Sequence, residues 1–186
     1  MNAVTFRRAT LDDRPALADL IAESARGLCG DDYTAEQVES ALGTGVFGVD
    51  TALIVDGTYF VAEMEGRLIG CGGWSKRRTL FGGDRFGGRE AEELDPRSEP
   101  ARIRAFFVRP EWSRRGIGRR ILERCESDAR VHGFQSSELM ATLPGEKLYG
   151  ALGYEGVERV DYEMDDGVTI ELVRMGKELA PRSSEY

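Results

Sequence analysis

Ile103-Arg104-Ala105-Phe106-Phe107-Val108-Arg109-Pro110-Glu111-Trp112-Ser113-Arg114-Arg115-Gly116-Ile117-Gly118-Arg119-Arg120-Ile121-Leu122 is the stretch on which the fold turns. Its first six residues are rich in β-branched and aromatic side chains and are stopped by Pro110, which cannot donate a ladder hydrogen bond. They predict a buried central strand. From Ile117 the apolar positions Ile117, Ile121, Leu122, Cys125 and Ala129 recur at helical spacing with charged residues between them, and Gly133 supplies a stop. Between strand and helix lies Arg114-Arg115-Gly116-Ile117-Gly118-Arg119. Two glycines there let the backbone approach a ligand closely, and the first helical turn leaves its amide hydrogens without internal partners. Those donors, with the positive end of the helix dipole, suit a pyrophosphate. The same glycines would also serve a bare strand-to-helix connection with solvated arginines. Four arginines crowding one turn of a chain with net charge -8 favour the anion.

The segment from Val108 to Leu122 resembles the acetyl-CoA signature of the GCN5-related N-acetyltransferase (GNAT) family, in which Gln or Arg is followed three and five residues later by Gly and Gly or Ala. Leu148-Tyr149-Gly150-Ala151-Leu152-Gly153-Tyr154 resembles the family's second block, Tyr, three residues, Gly and an aromatic. The chain departs from the first block at Ser113, where the family has Gln or Arg. The resemblance implies an α/β fold in the α+β sense: a central mixed, mostly antiparallel sheet with one parallel, splayed strand pair, flanked by about four helices.

Composition sets the wider bounds. With 186 residues the chain reads as one domain, residues 1–180, followed by a C-terminal tail, 181–186. Charged residues at 31% and hydrophobic residues at 41% describe an ordinary globular protein. No apolar run approaches the ~18 residues that a membrane span needs. Residues 1–8 lack the core of a signal peptide, so the cytoplasm is the expected location. Three widely spaced cysteines, Cys29, Cys71 and Cys125, and the single His132 suggest neither a disulfide framework nor a metal site. The acidic balance argues against a nucleic-acid surface. It is compatible with a cationic substrate and also with a simple solubility role.

Along the chain, residues 4–8 read as a strand, and Thr10 with Asp13 as a capping box ahead of a helix ending at Gly27. A second helix is expected over Thr34 to Leu42, stopped by Gly43, while Ala52 to Val55 reads either as a buried strand or, preferred here, as one helical turn capped by Asp50 and Gly57. Tyr33 and Asp32, between the two helices, border an acceptor site if the resemblance holds, or are ordinary loop residues. Thr58 to Met64 and Arg67 to Trp74 predict a hairpin across Glu65-Gly66, with Gly70, Gly72 and Gly73 marking a bulge or a close approach. Lys76 to Pro100 reads as a long loop. Ser137 to Thr142 predicts a strand parallel to the central one, Pro144 to Gly153 a short helix, and Val157 to Met175 a hairpin across Asp166-Gly167.

The resemblance also implies the chemistry. Acetyl-CoA would be the co-substrate, its diphosphate held by Arg114, Arg115, Gly116, Ile117, Gly118 and Arg119, and its pantetheine arm by the backbone of Phe106, Phe107 and Val108. Thr142 stands where many relatives bind the cofactor through Asn. Tyr149 matches the family's general acid. Many relatives carry a Glu near the start of the central strand, where this chain has Arg102 and Arg104. The base candidates are therefore Glu138, Asp84, Glu63 or an ordered water. The implied reaction is direct acetyl transfer to a primary amine of a small molecule or a protein. The alternative is a non-catalytic module that binds coenzyme A on the same fold, and a longer acyl group is a third reading. No metal, nucleic acid or membrane partner is expected, and a homodimer is left open.

Overall fold

A computed structural model describes residues 3–179, so the expected tail from 181 lies outside the described residues. Seven strands form one sheet: β1 (Thr5–Arg8), β2 (Tyr59–Met64), β3 (Arg67–Ser75), β4 (Ala101–Val108), β5 (Ser136–Thr142), β6 (Glu155–Glu163) and β7 (Thr169–Glu178), in the spatial order β1-β2-β3-β4-β5-β7-β6. All neighbours are antiparallel except β4 and β5, which run parallel. Among the described residues five α-helices accompany them: α1 (Arg14–Leu28), α2 (Ala35–Thr44), α3 (Thr51–Val55), α4 (Ile117–Val131) and α5 (Leu143–Ala151). The mixed sheet with one parallel pair is the fold that the sequence predicts.

Each sheet face covers its own core. On one side Leu17, Leu20 and Ile21 of α1 pack with Val61, Cys71 and Leu172. On the other, Ile117, Ile121, Leu122, Cys125 and Ala129 of α4 pack with Ile69, Ile103 and Leu139. Each fully buried Ile or Leu contributes about 1.5–3 kcal/mol relative to exposure, so the apolar stripe of α4 is enough to fix its docking face.

Local signals set most of the element ends. Thr10 and Asp13 form the predicted capping box, Thr34 and Gln37 form another at the start of α2, and the Asp50 carboxylate accepts from Leu53 N at 3.3 Å to start α3. Two helix stops fall elsewhere than expected. Gly27 lies inside α1, where an added Cβ would sit 2.3 Å from Pro110 Cγ, so the residue is glycine for contact and not for termination. α2 runs past Gly43 and ends at Gly45, whose φ of 85° closes it.

The feature that positions the site is in β4. Between the pairs Cys71↔Phe107 and Gly73↔Arg104 the register shifts, and Ala105 takes a φ of 57°. This is a β-bulge, and it turns the strand away from its neighbour. As a result β4 and β5 pair only from Ala101↔Ser137 to Ile103↔Leu139 and then separate. The glycines of β3 make room for this. A Cβ on Gly72 would lie 2.7 Å from the Phe106 ring, and one on Gly70 would lie 2.6 Å from Ile117 Cγ2.

Candidate active site

Where β4 and β5 part, a cavity of about 710 Å³ opens. One wall is the β4 segment Arg104–Val108, and one end is the turn into α4. Gly116, with φ 78°, is the N-cap of α4 and offers no side-chain cap. The first α4 amide to find a helical acceptor is Arg120 N, which donates to Gly116 O at 3.0 Å. Those of Ile117, Gly118 and Arg119 therefore stand open among the described residues, on a surface that lines the cavity together with Ser113 and Arg114. This is a ready anion cradle. Arg115 does not line it, because its guanidinium lies over the Trp112 ring at 5.1 Å. Arg119 does, while also pairing with Glu123 at 2.9 Å.

Along the β4 edge, Phe106, Phe107 and Val108 all line the cavity. The Val108 amide is not free, since it donates to Ser24 Oγ of α1 at 3.2 Å. Thr142 also lines the cavity, but its hydroxyl caps α5 by accepting from Gly145 N at 3.2 Å.

Tyr149 is only 8% exposed and lines the cavity, and its hydroxyl has no hydrogen-bond partner among the described residues. Its ring packs edge-on against Phe106 at 6.1 Å and Tyr154 at 5.9 Å. Burial pushes the phenol well above its ordinary range, with the nearby Cys125 and Cys71 adding to the shift, so it stays protonated at neutral pH. A protonated, unpartnered phenol lining a cavity can donate a hydrogen bond to a group placed there.

The acids named from sequence lie elsewhere. Glu138 stands beside Arg102 in the register of β4 and β5 and is ion-paired with it, away from the cavity lining. Asp84 accepts from Thr51 N at 2.8 Å and Thr51 Oγ1 at 2.9 Å and lines a second, separate cavity of about 400 Å³. Glu63 is bound by Arg7 at 2.9 Å. The carboxylates that do line the main cavity are Asp31 and Asp32. Asp32 is recognisable from its place between two helices, but Asp31 carries no separate sequence signal. Tyr33 beside them is buried, its hydroxyl donating to Glu171 O at 2.5 Å and accepting from Leu143 N at 2.9 Å. Arg104, also in the lining, is 4% exposed and pairs with the fully buried Asp50. Among the described residues no group of three or more His, Cys, Asp and Glu is placed to hold a metal ion. No helix there is long and apolar enough to cross a membrane.

A family model described as acetyltransferase (GNAT) domain matches residues 55–156, more than half of the chain. The chain belongs to the GNAT acetyltransferase family. Solved GNAT structures share its fold at low identity. A GCN5-related N-acetyltransferase from Rhodopseudomonas palustris superposes with a TM-score of 0.72 at 19% identity, over 96% of this chain and 98% of that one. The PaiA N-acetyltransferase of Thermoplasma acidophilum, in complex with coenzyme A, gives 0.64 at 16%, over 95% and 99%. The ribosomal-protein-S18-alanine N-acetyltransferase of Escherichia coli gives 0.60 at 14%, over 99% of each chain. No curated protein sequence matches the chain. Within the GNAT match lie both sequence blocks, the splayed strand pair and Tyr149.

Proposed function

We propose that this GNAT protein moves the acetyl group of acetyl-CoA directly to a primary amine, that Tyr149 is the general acid, and that one domain spanning the described residues carries the activity. The observation behind this reading is a single continuous cavity. It runs from the open amides of Ile117, Gly118 and Arg119, past the β4 edge, to the unpartnered Tyr149 hydroxyl. The solved relative with coenzyme A bound supports the choice of cofactor.

In this reading the diphosphate of acetyl-CoA sits on the α4 amides beside Arg114 and Arg119, and its pantetheine arm lies along β4 in place of the missing ladder with β5. A backbone amide of the Phe106–Val108 segment polarises the thioester carbonyl. The amine sheds its proton to solvent and its nitrogen attacks the thioester carbon. The C–N bond forms, the C–S bond breaks, and the sulfur takes the phenolic proton of Tyr149, which solvent later replaces. Glu138 and Asp84 have no part in this route because neither borders the cavity.

Release of free thiol from acetyl-CoA in the presence of a panel of primary amines tests the proposal. Turnover that collapses in Tyr149→Phe, with coenzyme A binding retained, is the expected result. Coenzyme A binding without thiol release from any amine would leave only a binding module and overturn it.

A further inference from the structure

The bulge that separates β4 from β5 is held from behind by two buried side chains. Between the pairs Gly73↔Arg104 and Cys71↔Phe107, Ala105 and Phe106 face the single residue Gly72, and Ala105 carries the φ of 57°. A left-handed alanine is strained, by an amount comparable to one or two ordinary hydrogen bonds. Its conformation therefore needs a partner to hold it.

The Ala105 carbonyl has two. The Tyr59 hydroxyl of β2 donates to it at 3.2 Å and the Cys71 thiol of β3 at 3.6 Å, with 3.3 Å between the two donors. One proton from each fills the two lone pairs of the oxygen. Tyr59 and Ala105 stand two strands apart. The phenol spans that distance because Gly73, paired with Tyr59 on one side and Arg104 on the other, has no side chain: a Cβ there would come 2.8 Å from Tyr59 Cδ2. Tyr59 and Cys71 are both fully buried, and neither borders the main cavity. Burial raises the phenol and pushes the thiol up to about 12, so both keep their protons at neutral pH.

We infer that Tyr59 and Cys71 are positioning residues for the cofactor: by holding the Ala105 carbonyl they keep the bulge formed, and so keep the β4 edge from Phe106 to Val108 open to an acyl-CoA that neither side chain touches. This rests on the reading above that coenzyme A lies along β4. Without the two donors the carbonyl is stranded, and Ala105 relaxes toward an extended φ. The turn made by the extra residue is then lost and β4 swings back toward β5. A site formed in only a fraction of the molecules binds its ligand more weakly by that fraction.

The test is calorimetry of the full chain with coenzyme A, for Tyr59→Phe, Cys71→Ala, the two combined, and the combination carrying Ala105→Gly. The combined variant is expected to bind about tenfold more weakly, the bulge being reduced to about a tenth of the molecules, with KM for acetyl-CoA rising alongside. Ala105→Gly then recovers most of the loss, because glycine takes a positive φ without strain and needs no holding. Cys71→Ser, which keeps a donor, stays close to the parent. Tyr59→Phe alone keeps the ring that crosses Gly73 and loses about threefold, so it carries the test if the combined variant does not fold. A purely packing role for the two side chains would lower the urea midpoint and would not respond to Ala105→Gly. Affinity unchanged in these variants, or a loss that Ala105→Gly leaves in place, would overturn the inference and leave the acetyltransferase reading standing. A parent chain that binds coenzyme A but releases no thiol fails that reading without touching this result, and one that binds no coenzyme A overturns both.

Discussion

The hydroxyl of Ser24 on α1 accepts a hydrogen bond from the backbone amide of Val108 on β4 at 3.2 Å, at the edge where β5 no longer pairs. Ser24 is 4% exposed, so a donor left behind by its removal sits in a largely closed place. Ser24→Ala is expected to lower unfolding stability by about 1 kcal/mol in the free protein. It should also tighten coenzyme A binding, because the amide no longer has to be released to meet the pantetheine arm. Calorimetry with coenzyme A and urea unfolding of the same variant check both halves. Affinity that falls along with stability would count against Val108 as a cofactor contact.

Replacing Tyr149 by Phe keeps the edge contacts with Phe106 and Tyr154 and removes only the hydroxyl. Loss of a general acid typically costs about 10²–10⁴-fold in rate, so kcat should fall in that range while KM for acetyl-CoA stays near the parent value. Because burial raises the phenol, the parent enzyme should show no alkaline decline attributable to Tyr149 across the neutral and mildly alkaline range. Steady-state rates as a function of pH, parent against variant, decide it.

Stability itself should fail on the alkaline side. Burial pushes Cys29 up to about 11 and Cys71 up to about 12, and it raises Cys125, Tyr33, Tyr59 and Tyr154 as well. In the unfolded chain thiols ionise near ~8.5 and phenols near ~10. Below those values both states hold the same protons and the stability is intact. Above them the unfolded chain has lost protons that the folded chain still keeps, so unfolding becomes easier as pH rises. Urea midpoints that decline from about pH 9 upward are expected. A flat profile to pH 11 would contradict the burial of these groups.

The two glycines of the α4 turn answer to different constraints. An added Cβ at Gly116 meets nothing within 4 Å, but its φ of 78° disfavours any L side chain, so Gly116→Ala should cost about 1 kcal/mol of stability. At Gly118 the backbone is helical and a Cβ would come 3.2 Å from Leu148 Cδ2 at the cavity wall. Gly118→Leu is therefore expected to weaken coenzyme A binding at least about tenfold, a loss near 1.4 kcal/mol, with the fold retained. Equal effects of the two changes on binding and stability would refute the distinction.

Asp50 is fully buried, pairs with Arg104, accepts from Arg89 Nη2 at 3.0 Å and caps α3. Removing it strands two guanidinium groups, and breaking a buried pair in this way costs roughly 3–5 kcal/mol. Asp50→Ala should lose about that much in urea unfolding, with faster amide exchange in the loop bearing Gly82 and Gly83, whose carbonyls Arg89 holds at 3.3 and 3.0 Å. A loss below about 1 kcal/mol would show that the cluster is not a structural tie.

Most of the elements were legible because their determinants are local: the stripe of Ile117, Ile121, Leu122 and Cys125, the caps at Thr34 and Asp50, and the turns at Gly66 and Gly167. What stayed hidden depends on partners distant in sequence. Gly27 is a stop signal by spacing, yet it answers to Pro110. Thr142 resembles a strand-end hydroxyl, yet it starts a helix. Glu138 and Asp84 carry the right group for a base, and only the register with Arg102 and the contact with Thr51 remove them from the cavity. Asp31, Phe47 and Phe81 line the main cavity because three separate loops meet, which no spacing along the chain encodes.

The bulge at Ala105 has a mechanical consequence. Only three residue pairs, Ala101↔Ser137 through Ile103↔Leu139, stitch the four-strand half of the sheet to the three-strand half. The seam is short and its open end is wedge-shaped, so a thread of cofactor laid into it would act as a zipper slider, fastening two halves that the polypeptide alone leaves half undone.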